Sequence, residues 1–238
     1  MSEHYTGGAY WANRRGSRSD YKVPLVLNAL AAAGIGLRDG MSVLEVGCGN
    51  GAFLWPFSDA VAEKGFRPLL RGIDIAANAI EEARQGSGAN PPHFACDSVD
   101  SHQGEYDLVL AIDVVEHVPC PLAFLSDLRR FAPTLLLHLP IEHSVLHLLA
   151  RRPTASYHAY RHIHFFSLET ARLLIEEAGW RVMGVRHSAA DPATLSLKAP
   201  ALLRFARRAR YLAYKAMPSM TTVVAGGSVM LWCERSNA

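Results

Sequence analysis

Short apolar runs recur along the chain, and several end in an acid or are followed by one. Ser42 to Val46 carries Glu45, Leu69 to Ile73 runs into Asp74, His93 to Cys96 is followed by Asp97, and Leu108 to Ile112 by Asp113. Continuous apolar runs of this length predict strands buried on both faces, as in a parallel sheet. Strands are predicted at Ser42–Val46, Leu69–Asp74, His93–Cys96, Leu108–Ile112, Thr134–Leu139, Arg181–Val185 and Val229–Glu234. Between them, apolar residues at helical spacing predict helices at Val23–Ala33, Ala52–Glu63, Ala76–Gln85, Pro121–Phe131 and Leu168–Ala178. Pro121 suits a first helical turn, Ser167 with Thr170 a cap, and Gly179 a stop, with Trp180 anchoring the strand that follows. The alternation predicts an α/β fold: a doubly wound, mostly parallel seven-stranded sheet with an antiparallel last strand.

In such a sheet a ligand sits beyond the carboxyl ends of the strands, near the point where strand order reverses. Glu45, Asp74, Asp97 and Asp113 all fall at such ends. The turn from Gly47 through Cys48, Gly49 and Asn50 to Gly51 follows the first strand. Glycines there let a ligand approach the backbone and supply positive φ. Asp74 follows about twenty residues after the turn, where a carboxylate binds ribose hydroxyls. The pair predicts an adenosine-containing cofactor. Gly47 to Ala52 also satisfies the loose glycine pattern of nicotinamide-dependent oxidoreductases. Glu45, two residues before the first glycine, favours a ligand with a free amino group, and the turn contains no Arg or Lys for a pyrophosphate.

With the segment Asp113, Val114, Val115, Glu116, His117, these features resemble the class I S-adenosylmethionine-dependent methyltransferases, in the broad subgroup that contains the ubiquinone-biosynthesis O-methyltransferases. The resemblance covers about residues 40 to 185 and implies a Rossmann-like methyltransferase fold. It implies that Gly47, Cys48 and Gly49 meet the methionine part of S-adenosyl-L-methionine. Glu45 would place the amino group and Asp74, with Ile75 beside it, the ribose. Asp97 and Ser98 would meet the adenine, with Ile112 lining the adenine or sulfonium side. In the ubiquinone-pathway and small-RNA 2′-O-methyltransferases a similar acid-x-x-Glu-His holds a divalent metal. The metal set here would be Asp113, Glu116, His117 and His164, taking Mg²⁺ or Mn²⁺. Those families usually carry Glu where this chain has Asp113.

Length and composition bound the rest. In 238 residues, half of them apolar, one domain spanning 1–238 is expected. A net charge of +2 makes nucleic acid a poor partner. Cys48, Cys96, Cys120 and Cys233 lack paired spacing, and three of them fall in or beside predicted core elements. A reduced, cytoplasmic setting fits. The polar first twenty-odd residues resemble no secretory signal, and no apolar run approaches a membrane span, so a soluble protein is expected.

Segment 1–22, with Tyr5, Tyr10 and Trp11, reads as a lid or a frayed tail, and 140–166 and 189–227 as insertions near the acceptor. The first insertion contains His143, His158, His162 and His164, and a histidine there would serve to deprotonate an acceptor hydroxyl. His164, then His117, are the candidate bases. The helix from Pro200 to Met217 carries apolar residues, including Phe205 and Leu212, with arginines around them. It reads as a surface helix with one packed stripe; the alternatives are a membrane-surface contact for a lipid-like acceptor or a face for an anionic substrate. The expected function is methylation, on oxygen, of a small-molecule, glycan or lipid-linked acceptor. The competing readings are an RNA 2′-O-methyltransferase, a nicotinamide-dependent oxidoreductase and a non-catalytic cofactor-binding partner.

Overall fold

A computed structural model describes residues 19–188 and 201–236. Tyr5, Tyr10, Trp11 and the stretch 189–200 lie outside the described residues. The chain runs α1 (Val23–Ala32), β1 (Ser42–Val46), α2 (Leu54–Glu63), β2 (Leu69–Asp74), α3 (Ala77–Ala83), β3 (His93–Cys96) and β4 (Leu108–Ile112). There follow α4 (Pro121–Leu128), β5 (Thr134–Ile141), α5 (Val145–Leu149), α6 (Arg152–Tyr160), α7 (Leu168–Glu177), β6 (Trp180–Ser188), α8 (Ala201–Ala216), α9 (Pro218–Ala225) and β7 (Gly227–Arg235). The seven strands form one sheet in the order β3-β2-β1-β4-β5-β7-β6. Pairing is parallel from β3 to β5, and β7 runs antiparallel to both β5 and β6. The doubly wound sheet with an antiparallel last strand is therefore present.

Alternation along each strand assigns its side chains to two cores. Leu44, Val109, Ala111, Leu135 and Leu137 face one side, against Leu125 and Leu128 of α4 and Ala171 and Ile175 of α7. Val43, Leu108, Leu110 and Leu136 face the other, against Val26 and Leu30 of α1, Phe57 and Val61 of α2, and Ile80 of α3. Because helices cover both faces, β4 is apolar throughout and β5 at most positions. Truncating one such residue, as in Leu110→Ala, costs about 2–5 kcal/mol.

Local signals act as the sequence predicts at α7. Ser167 and Thr170 form a reciprocal capping box, Gly179 follows the helix at φ +83°, and the Trp180 indole donates to the Leu125 carbonyl (2.8 Å). Other boundaries move. Helix α2 begins at Leu54 because the glycine turn continues through Phe53, and β5 extends to Ile141, where β7 continues to supply partners. Strand β6 spans Trp180–Ser188 for the same reason, with a bulge near Met183. Of the cysteines only Cys48 and Cys233 are buried; Cys96 and Cys120 are exposed, and all four are free thiols.

Helix α8 departs from expectation more fully. Phe205 and Leu212 are 71% and 61% exposed, and the packed face is carried by Tyr214 and Arg210 instead. Tyr214 donates to the Ser188 carbonyl (2.6 Å), and the Arg210 guanidinium to the Gly226 carbonyl (3.1 Å). No helix among the described residues is long and apolar enough to cross a membrane.

Candidate active site

Strand order reverses between β1 and β4, which pair with each other while their next connections run in opposite directions. A cavity of about 790 Å³ opens there, beyond the carboxyl ends of the strands. That volume lies within the roughly 300–1,000 Å³ range of sites that enclose a ligand.

The turn after β1 forms the floor. Gly47 has φ +75° and donates its N–H to the Ile73 carbonyl (2.8 Å). A Cβ on Gly47 would stand 2.4 Å from Val114 Cγ2, so conformation and space both require glycine. The Gly49 N–H donates to Asp74 Oδ2 (2.9 Å), and the Ala76 N–H to Oδ1 (2.9 Å). Two backbone donors thus fix the Asp74 carboxylate at the cavity wall.

Five of the nine expected cofactor residues lie in the cavity wall: Gly47, Asp74, Ile75, Asp97 and Ser98. Asp97 accepts from the Ser98 N–H and the Ser101 hydroxyl and contacts His102 Nδ1 (2.7 Å). The Ser101 hydrogen bond contributes most to holding its carboxyl below the usual carboxylate range. Glu45, Cys48, Gly49 and Ile112 are not in this wall. Cys48 and Ile112 pack in the core on the α1–α2 side of the sheet. Glu45 is 2% exposed, with Oε2 unpartnered, and burial raises its pKa to about 8, helped by Asp74 and opposed by Lys22.

At the end of β4, Asp113 adopts φ +54°, a left-handed conformation unusual for a non-glycine residue. Its carboxylate accepts from Lys22 Nζ on one oxygen and meets His138 Nδ1 on the other. Burial would raise the Asp113 pKa, but His138 and Lys22 outweigh it and hold the carboxyl well below the ordinary range. Burial pulls the Lys22 pKa down, and Asp113, Tyr21 and Glu116 together outweigh it and raise the pKa.

The expected metal set is rearranged. Glu116, His117 and His162 bring a ligand atom each within 4.8 Å of one another. His162, one of the insertion histidines, stands where His164 was expected, and Asp113 is engaged with Lys22 and His138. Glu116 is fully buried with neither carboxylate oxygen partnered, and burial, then Asp113, raises its pKa well above normal. Glu142, just past β5, accepts from Ser156 and contacts His162 Nδ1 (2.7 Å). His117 Nδ1 lies 3.2 Å from the Arg161 carbonyl. His117 is in the cavity wall; His164 is not, although its N–H donates to the Glu116 carbonyl (3.2 Å) and its Nε2 is buried without a partner. His143 and His158 are exposed. From the first insertion, Tyr157, Arg161 and Ile163 reach the wall, with the Arg161 guanidinium 5.0 Å from the Tyr157 ring centre.

Lys22, His138 and Glu142 were not anticipated. His138 interrupts an otherwise apolar strand, and Glu142 extends the series of strand-end acids to β5, so both left a signal in the sequence. Lys22 left none: its partner is 91 residues away.

A family model described as "Methyltransferase domain" matches residues 10–185. The chain belongs to the methyltransferase domain family. A ubiquinone biosynthesis O-methyltransferase from Leptothrix cholodnii is 34% identical over 110 residues, 43% of this chain and 44% of that protein. The aklanonic acid methyltransferase DauC of a Streptomyces species is 35% identical over 89 residues, 32% of this chain and 39% of that protein. The chain thus spans less than half the length of these curated relatives. A ubiquinone biosynthesis O-methyltransferase from Bordetella avium aligns further, at 28% identity over 67% of this chain and 70% of that protein. Among solved structures, magnesium protoporphyrin IX methyltransferase from Synechocystis with bound SAH superposes with a TM-score of 0.63 at 20% identity, covering 98% of this chain and 97% of that one. This last likeness is one of fold.

Proposed function

We propose that the protein is an S-adenosylmethionine-dependent O-methyltransferase acting on a largely apolar, hydroxyl-bearing small molecule. The observation that carries this reading is the continuity of one cavity from Gly47 and Asp74 to His117 and Arg161. A donor lying on the glycine turn would give its ribose hydroxyls to Asp74 and its adenine amino group to Asp97. Glu45 is close enough to Asp74 and Lys22 to feel both charges and would accept the donor's amino group directly or through water. Burial holds Glu45 protonated near neutral pH, so an arriving ammonium would pair with the carboxylate as that proton leaves.

Methyl transfer from a sulfonium is a direct displacement: the acceptor oxygen forms the new bond to carbon as the carbon–sulfur bond breaks, and the hydroxyl proton leaves. No protein nucleophile is needed, only alignment, exclusion of water and a sink for the proton. Val114, Val118, Phe124 and Ile163 give the cavity dry walls, and Tyr157 with Arg161 borders the acceptor end. Such walls suit an aromatic or lipid-like acceptor better than a glycan. The ubiquinone-pathway relatives are named O-methyltransferases, which favours oxygen as the methylated atom.

Glu116, His117 and His162 fit a divalent cation, since Glu116 presents two buried, unpartnered oxygens that a cation would satisfy. A bound Mn²⁺ or Mg²⁺ would lower the pKa of an acceptor hydroxyl. Glu142 would fix the ring of His162 and the Arg161 carbonyl that of His117, the usual outer support of histidine ligands. The test is transfer of a labelled methyl group to a panel of phenolic and lipophilic alcohols with and without chelator. Turnover on a hydroxyl acceptor, lost with chelator and restored by Mn²⁺, is expected. Full turnover in excess chelator would reject the metal, and methylation confined to amines would reject the oxygen assignment.

A further inference from the structure

We propose that α8 and α9 form a docking surface for an anionic lipid bilayer. At about 100° per residue, positions 205, 209, 212 and 216 of α8 share one row. That row lies opposite Tyr214, whose hydrogen bond to Ser188 defines the packed side. Phe205 and Leu212 therefore point directly away from the protein, and Arg204, Arg208 and Lys215 form the next row, also exposed. An ordinary surface helix buries its apolar stripe and leaves its charges outside; α8 packs through an arginine and a tyrosine and leaves its stripe in solvent.

Neighbouring elements extend this surface. Met220 and Val223 of α9 are exposed, and α5, which packs on α9, adds Leu146 and Leu149, the latter 78% exposed. Charge identifies the occupant. No Asp or Glu occurs between 143 and 168 or between 192 and 233, although the chain contains 22 acids; the same two stretches carry nine Lys and Arg. Apolar side chains flanked by cations, in two stretches of sequence without a carboxylate, match an interface that offers both hydrocarbon and negative headgroups. A second copy would set like charge against like, and a nucleic acid would leave the Phe205–Leu212 row in water.

Placement adds a consequence. Gly227 pairs with Ile141 and Ser228 with Ser188, so α9 enters the sheet at the carboxyl edge, the edge at which the cavity opens. A membrane-dissolved acceptor would then be near its site; this consequence rests on the proposed chemistry, whereas the docking does not.

The test is co-sedimentation of the full chain with vesicles of phosphatidylglycerol mixed into phosphatidylcholine, against phosphatidylcholine alone. Sedimentation with the anionic vesicles only, weakened at least tenfold by about 0.5 M salt, is expected. Phe205→Ser with Leu212→Ser should lower it at least tenfold while circular dichroism and SAH binding stay unchanged. If that variant misfolds, Arg204→Gln with Arg208→Gln must give the same loss. Absence of sedimentation with anionic vesicles would overturn the proposal. So would a dimer that dissociates in the Ser variant without any vesicle binding, or RNA binding that the Ser variant retains in the absence of vesicle binding.

Discussion

Lys22 donates its ammonium to Asp113 Oδ2 across 91 residues, tying the segment before α1 to the end of β4. His138, on β5, holds the other oxygen. Three elements therefore converge on one carboxylate whose backbone is in the left-handed region, a conformation that persists only when its surroundings enforce it. The latch places the turn after β4, and with it Val114 and Glu116 to His117, beside the glycine turn.

Breaking the latch from one side should be costly. Lys22→Met leaves Asp113 with His138 alone, and removal of one partner of a largely buried pair costs about 3–5 kcal/mol. Urea denaturation should show that loss, while Lys22→Met combined with Asp113→Asn should lose less than the sum of the two singles. Additive losses would mean the two side chains act independently.

Gly47 has no tolerance for a side chain. Gly47→Ala introduces a methyl 2.4 Å from Val114 Cγ2 at a φ of +75°. A stability loss of about 1–3 kcal/mol and weaker SAH binding are expected, the strain alone accounting for that range. Adding Val114→Ala should recover the part due to contact and leave the part due to φ. Unchanged melting of Gly47→Ala would contradict this packing.

Glu45 gives stability a pH signature. Its folded pKa, raised to about 8 chiefly by burial, lies above the roughly 4.3 of an unfolded glutamate. The native state therefore holds a proton that the unfolded state has released. Stability from this group is complete below about pH 4, falls as pH rises through about 8, and is flat beyond. Glu45→Gln should remove that slope, so that its stability gains on the parent's between about pH 5 and pH 9. Parallel profiles in urea melts across that range would show that Glu45 does not carry the burial cost.

His162 should matter through its partner. Glu142→Gln weakens the support of the imidazole without touching the proposed ligand atoms. A loss of about 10–100-fold in Mn²⁺ affinity, measured by titration calorimetry, is the usual effect of removing such support. His164→Ala should leave Mn²⁺ affinity unchanged. The opposite ranking would return His164 to the ligand set.

Strands β1 and β4 were legible because burial on both faces leaves little choice of residue, and all of β1 to β4 coincide with their expected bounds. Helix ends near the glycine turn and the length of β6 depended on tertiary pairing, which local pattern does not carry. At the site, Gly47 and Asp74 were readable because chemistry demands them at fixed spacing along the chain. Lys22 was not, since it acts through a residue 91 positions away. Phe205 and Leu212 show the converse: helical spacing revealed the stripe but not which way it faces.

We propose that the glycine turn and Asp74 hold S-adenosylmethionine. Titration calorimetry of the full chain with SAH, and separately with NAD, tests it most directly. Binding of SAH in the micromolar range is expected, at least tenfold weaker in Asp74→Ala as a charge-assisted ribose contact is lost. NAD binding with no SAH binding would contradict it.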